Sequence, residues 1–133
     1  TLMMNYEVAF LDMEAGLEHL SRRTDRDVDS MIVVTDPSKM GLETARRIKE
    51  IVDEVHIDVK HIYLVGNRFT SDLEDLLMKS ANDIGLEYGG LIPVDNNVST
   101  YNLTGKPLLG IPDDSPAYKA IEKLAKKIGL TSK

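Results

Sequence analysis

The sequence has 133 residues, 42% hydrophobic and 29% charged, with 9 Gly and 5 Pro; that length allows one ordinary domain, and that composition excludes collagen-like, low-complexity and strongly disordered classes. A formal charge of −6, from 22 acidic against 16 basic residues, argues against a basic face that grips nucleic acid, and the absence of cysteine excludes disulfides, thiolate zinc sites and a cysteine nucleophile. No apolar run approaches the roughly 20 residues of a membrane-spanning helix, and the N-terminal TLMMNYEVAF lacks the basic-then-apolar order of a leader, which predicts a soluble, cytoplasmic chain with no membrane partner.

Short β-rich runs alternate with helical stripes. Tyr6–Leu11 reads as a mostly buried strand ending at Asp12. A mixed charge run from Arg22 to Asp29 reads as a solvated loop. Met31–Thr35 is a near-continuous apolar run, as in a strand covered on both faces of a parallel sheet. After Pro37, a helix buries Leu42, Ala45, Ile48, Val52 and Val55 at helical spacing. His61–Val65 repeats the character of the second strand. A second helix spans about Ser71 to Ile84, with Leu73, Leu76, Leu77, Ala81 and Ile84 on one face and Gly85 as its stop. Tyr88–Ile92 is a fourth strand, interrupted by Gly89 and Gly90 and closed by Pro93. A third helix starts at Ser115-Pro116, a cap residue before a first-turn proline, carries Ala117, Ala120, Ile121, Leu124, Ala125 and Ile128, and stops at Gly129.

This alternation predicts right-handed crossovers and an α/β, doubly wound, mainly parallel sheet flanked by helices. In such sheets ligands bind outside the carboxyl ends of the strands. The places to search are therefore Asp12–Gly16, Thr35–Ser38, Gly66–Arg68 and Pro93–Asn97, which hold an unusual share of the Asp, Asn, Pro and Gly residues.

An apolar strand tipped by aspartate, Phe10-Leu11-Asp12, has the form of a Walker B element, whose carboxylate holds magnesium beside nucleotide phosphates, usually through water. A strand-terminal Asp equally serves as the cap of the next turn. The following residues favour the first. Asp12-Met13-Glu14-Ala15-Gly16-Leu17-Glu18-His19-Leu20, then Arg22 and Thr24, closely resembles a segment of the CooC-type ATPases, P-loop ATPases of the MinD/ParA-like class that assist nickel insertion into carbon monoxide dehydrogenase. The resemblance continues through Val34-Thr35-Asp36-Pro37-Ser38, Gly41-Leu42-Glu43-Thr44-Ala45, Val65-Gly66-Asn67-Arg68 and Ile92-Pro93-Val94-Asp95 to the helix after Pro116. It covers nearly the whole chain in order, and DMEAGLEHL is its most specific piece.

The resemblance implies a role for each matched position. Asp12 corresponds to the Walker B aspartate, associated with Mg2+ through water, and Gly16 to the backbone donor near the γ-phosphate. Asn67, with Arg68 beside it, would meet the adenine edge, because a side-chain amide both donates and accepts. Pro93, Val94 and Asp95 would line the other side of the base. For Asn67 a turn after a strand, and for Pro93–Asp95 a plain strand exit, are the competing structural readings. The implied cofactors are ATP/ADP and Mg2+, and the implied partners are a second copy in a nucleotide-bridged homodimer and carbon monoxide dehydrogenase as client.

No GxxxxGK motif followed by Ser or Thr occurs in the sequence. In the family that loop, and the nickel-binding Cys-x-Cys pair, precede the Walker B strand, so residues 1–133 are expected to form a single C-terminal portion of a P-loop ATPase domain: a partial fold lacking the P-loop strand. Such a portion should bind ATP weakly at most and not turn it over alone, since the largest electrostatic contribution to phosphate binding is missing. The family's P-loop strand lies between the Walker B strand and the one matching Met31–Thr35; without it, two apolar edges should rearrange or recruit another copy. The rival reading is a non-enzymatic α/β interaction or dimerisation module. A response-regulator-like phospho-acceptor would also use a strand-tip Asp, but no further acidic set near the chain start and no late-strand Lys accompany it. His19, His56 and His61 have no helical metal-site spacing, and the triplets Asn97-Val98-Ser99 and Asn102-Leu103-Thr104 would matter only in a secreted protein.

Overall fold

The computed structural model describes Val8, Phe10, Asp12, residues 28–56 and residues 58–130. Three strands, β1 (Val28–Thr35), β2 (Val59–Asn67) and β3 (Glu87–Ile92), form a parallel sheet in the order β1-β2-β3. Helices α1 (Lys39–Glu54) and α2 (Glu74–Ile84) make the crossovers, and α3 (Asn96–Thr104) and α4 (Pro116–Lys127) follow β3. This is an open α/β sheet flanked by helices, as the alternation of the sequence predicts. No helix among the described residues is long and apolar enough to cross a membrane.

The stripes of α1 and α2 close on the sheet around Val33, Ala45, Leu64, Phe69, Leu77, Ala81 and Leu86, all buried, with Leu42, Ile48, Ile62 and Ile84 packed around them. Leu64 and Leu77 are fully buried at 0% exposure. Burying one such side chain contributes about 1.5–3 kcal/mol, so this layer holds the strand ends in place. α4 packs against β3, and its Lys127 Nζ reaches the Tyr88 carbonyl at 2.5 Å.

Several boundaries differ from the sequence expectation. β1 begins three residues early, at Val28, because Val28 pairs with Val59 and the exposed Asp29 meets Lys60 at 3.2 Å. The loop reading of the charge run therefore fails at its last two residues, Val28 and Asp29, and its residues 22–27 lie outside the described residues. Of the expected strand Tyr6–Leu11, only Val8 and Phe10 are described; both lie outside any element and are exposed. The rest of that segment lies outside the described residues. The other edge of β1 pairs with no strand among the described residues, and Ile32 and Val34 on this strand are exposed at 38% and 58%.

The Gly89–Gly90 interruption is a bulge. Leu64 pairs with Tyr88, but Val65 pairs with Gly90, so Gly89 is an extra residue on β3. Neither bulge residue accepts a side chain freely. A Cβ on Gly89 would stand 2.8 Å from Val65 Cγ2, and Gly90 has φ +138°, where L-residues are strained. Helix α3 has no apolar stripe and is absent from the sequence expectation. It starts where Asp95 accepts a hydrogen bond from the Asn97 amide at 2.8 Å and ends at Gly105.

Candidate functional site

All three strands run parallel, so their carboxyl ends lie together at one end of the sheet. Thr35 and Gly66 are register partners, as are Asn67 and Ile92. Three exits therefore adjoin: Asp36-Pro37-Ser38 after β1, Arg68 after β2, and Pro93-Val94-Asp95 after β3.

The β1 exit is a hydrogen-bonded turn. Buried Thr35 donates through Oγ1 to the Asp36 carbonyl at 3.0 Å, and Ser38 Oγ donates to Asp36 Oδ1 at 2.5 Å. Ser38 Oγ in turn accepts from the Gly41 amide at 2.9 Å, which caps the first turn of α1. With Val34, Met40, Thr44 and Asn67, these residues line a cavity of about 390 Å³. Its polar groups are amides, hydroxyls and one carboxylate, a set suited to reading hydrogen-bond edges. Sequence reasoning marked this strand end but assigned no role to Thr35, Asp36 or Ser38. Their mutual hydrogen bonds, invisible to a one-dimensional pattern, are what build the cavity wall.

At the β2 exit, Gly66 is buried and lets Phe69 fold back under the strand tip; a Cβ there would stand 2.7 Å from the Phe69 ring and 2.5 Å from Leu77 Cδ2. The reversal passes through Arg68, which is exposed and left-handed at φ 60°, and returns the Phe69 amide to the Ile92 carbonyl at 3.3 Å. Asn67 is left half-buried at the cavity rim, with its neighbour across the sheet leading straight into Pro93.

At the β3 exit, Pro93 is half-buried and Val94 is 55% exposed, so both remain available to an apolar ring face. Asp95 behaves differently. Its carboxylate is buried and accepts from the Asn97 amide, the Ser115 hydroxyl and the Ala117 amide, the last at 2.9 Å. The Ser115 hydrogen bond is the main influence holding this carboxyl below its ordinary range; burial opposes it, and the amides of Ala117, Asn97 and Val98 reinforce it. One side chain thereby caps the N-termini of both α3 and α4. Ser115, expected from the sequence to cap α4, makes no cap bond itself and passes that role to Asp95.

The structure thus brings Asn67, Arg68, Pro93, Val94 and Asp95 to one end of the sheet, with the Asp95 carboxylate committed internally and only its backbone left to face a ligand. Asp12 is exposed and outside any element, and Gly16 lies outside the described residues. Among the described residues no three His, Asp or Glu groups cluster as a metal site. His61 instead pairs with Glu87 at 2.9 Å, away from the strand exits.

No family model matches the sequence. Related sequences do. An uncharacterised ATP-binding protein of Methanocaldococcus jannaschii is 44% identical over 127 residues, covering 96% of this chain and 50% of that protein. A second ATP-binding protein of the same organism is 38% identical over 89% of this chain and 44% of its own length. The carbon monoxide dehydrogenase accessory protein CooC of Rhodospirillum rubrum is 30% identical over 85% of this chain and 41% of its own length. Among solved structures, the MinD cell division protein of Aquifex aeolicus superposes with TM-score 0.62 at 18% identity, over 79% of this chain and 45% of that one. The chain spans about half the length of the curated relatives it matches.

Proposed function

We propose that this chain, a CooC- and MinD-like sequence homologous to archaeal ATP-binding proteins, is the adenine-side and switch-side portion of an ATPase. One observation carries the reading: Asn67 and Pro93-Val94 leave register-paired parallel strands side by side, at the end of the sheet where such folds bind ligands. The Asn67 amide offers both a donor and an acceptor to the edge of adenine. Pro93 and Val94 supply an apolar wall, and Arg68 a charge at its mouth. Asp95 contributes through its backbone.

The described residues fit a base better than a triphosphate. The cavity beside Asn67 carries the Asp36 carboxylate and no lysine or arginine, so phosphate charge has to be met elsewhere. Asp12 is the residue we assign to Mg2+, through water, and Gly16 the backbone donor to the γ-phosphate. Bound there, Mg2+ would neutralise charge on the phosphates. The absence of a glycine-rich Lys-Ser/Thr loop from the sequence supports the view that these residues work together with a P-loop supplied by further chain, and that residues 1–133 alone do not turn ATP over.

CooC is named as a carbon monoxide dehydrogenase accessory protein. Carried to this chain, that name proposes nickel insertion into carbon monoxide dehydrogenase as the task, with nickel held by residues outside residues 1–133, in a cytoplasmic, nucleotide-bridged homodimer. The outer edge of β1, which pairs with no strand among the described residues, supports the expectation that another strand completes the sheet.

The test is calorimetric titration of the full-length protein with ATP and GTP. Asn67→Ala is expected to weaken ATP binding about tenfold, the order of one or two side-chain hydrogen bonds, and to narrow the preference for ATP over GTP. Unchanged ATP affinity in that variant refutes the assignment of Asn67 to the base.

A further inference from the structure

The proposed base site has a wall whose position is set from 20 residues away. We propose that Ser115, acting through Asp95, is a positioning residue that locks the Pro93-Val94 wall to the N-terminus of α4 and thereby makes ATP affinity depend on the seating of that helix. This inference rests on the reading of the strand ends as the adenine site.

The geometry is specific. Asp95 is the second residue after Val94's neighbour Pro93, so fixing its carboxylate fixes the peptide planes that carry both wall residues. Three donors fix it: the Asn97 amide at 2.8 Å, the Ala117 amide at 2.9 Å and the Ser115 hydroxyl. Asn97 Nδ2 closes the ring by donating to Ser115 Oγ at 3.3 Å. Asp95 and Ser115 are 6% and 1% exposed, so solvent has little access to replace a lost partner. An adenine contact needs none of these groups directly, which leaves the Asp95 carboxylate and the Ser115 hydroxyl without a role in the site other than to hold it. α4 packs on β3 and carries the exposed Tyr118 and Ile121, so whatever displaces α4 also releases the wall. By linkage, nucleotide at the wall favours the seated helix to the same degree.

Ser115→Ala in the full-length protein tests this, with Pro116→Ala as the companion. Pro116 opens the same helix but donates nothing to Asp95. In Ser115→Ala, hydrogen exchange at Val94–Asn97 is expected to quicken while the amides of Leu64 and Leu77 keep their protection. The KM for ATP should rise roughly tenfold with kcat within twofold of the unsubstituted enzyme. Pro116→Ala should lower the thermal midpoint and leave KM unchanged. Quickened exchange with an unaltered KM overturns the lock while leaving the adenine site standing. Exchange at Val94–Asn97 that does not change overturns it at its first step. A KM increase of equal size in both variants also overturns it, because the wall would then follow the helix without needing the Ser115 hydroxyl. If the unsubstituted protein binds no ATP, the reading of the site fails, and this inference with it.

Discussion

Gly66→Ala measures how tightly the core holds the tip of β2. The added Cβ would lie 2.5 Å from Leu77 Cδ2 and 2.7 and 2.9 Å from Phe69 Cδ1 and Cε1, where 3.4–4 Å is ordinary contact. Leu77 and Phe69 are 0% and 2% exposed, so neither has free space to enter. Relief has to come from off-rotamer side chains or from a shift of the strand, and such overpacking costs about 1–3 kcal/mol. Leu77→Ala alone removes the nearest of these atoms and leaves a cavity, at a cost of about 2–5 kcal/mol. In the double variant the new methyl group occupies part of that cavity. Its destabilisation should therefore fall short of the sum of the singles by about 1 kcal/mol or more, the clash with Phe69 setting what remains. Urea melts followed by circular dichroism, with constant m-values, supply the three midpoints. Additive losses, or a Gly66→Ala variant as stable as the parent, would show that the strand tip yields easily and that Asn67 is not held by this packing.

Three further outcomes follow from the strand exits. Ser38→Ala removes the acceptor of the Gly41 amide and should cost about 0.5–2 kcal/mol, measured by the same melts, whereas Ser38→Asn should keep most of it. Asp95 has a carboxyl pKa lowered in the folded state from 3.8. A depressed native pKa makes its contribution complete above the ordinary carboxylate range and progressively lost as pH falls through that range toward the native value. The acid limb of stability against pH should accordingly be shallower in Asp95→Asn than in the parent, and parallel limbs would contradict the hydrogen-bond assignment. Finally, residues 1–133 alone should bind ATP weakly at most; micromolar affinity by calorimetry would overturn the requirement for a separate phosphate loop.

Much of this was legible in the sequence because strands and stripes are local. The apolar runs ending at Thr35, Val65 and Ile92 lie inside the three strands, and most periodic residues of α1, α2 and α4 are buried or half-buried; Leu76 and Ile121, expected on the same stripes, are instead exposed at 54% and 52%. That the exits after Asn67 and Ile92 share one end of the sheet also follows from parallel order, while their exact level is set by the bulge at Gly89. What escaped is non-local or carries no stripe. α3, with the sequence NNVSTYNLT, has no apolar face to betray it and depends on the Asp95 cap. The burial of the Asp95 carboxylate is also invisible in the sequence, because two of its partners, Ser115 and Ala117, stand 20 and 22 positions away. Ser115 ahead of Pro116 marks the helix start in the sequence, but the hydroxyl serves the carboxylate and the carboxylate serves the helix. Asp12 keeps its proposed role on resemblance, and Gly16 likewise.

The extra residue at Gly89 has a consequence for how this end of the molecule tolerates insertion and deletion. Continued without it, the pairing of Leu64 with Tyr88 would set Asn67 opposite Leu91; the bulge advances β3 so that Ile92 stands there instead. One residue is about 3.3 Å along a strand and reverses every side chain beyond it. Drawing Gly89 into regular pairing would therefore carry Pro93 and Val94 past the level of Asn67 and exchange the faces of Leu91 and Ile92, whereas deleting it would leave Ile92 opposite Asn67. Lengthening the connection between Gly105 and Asp114 would move neither. The spacing of the proposed base site is thus counted out in the sheet, as on a vernier, and its loops are comparatively free to vary.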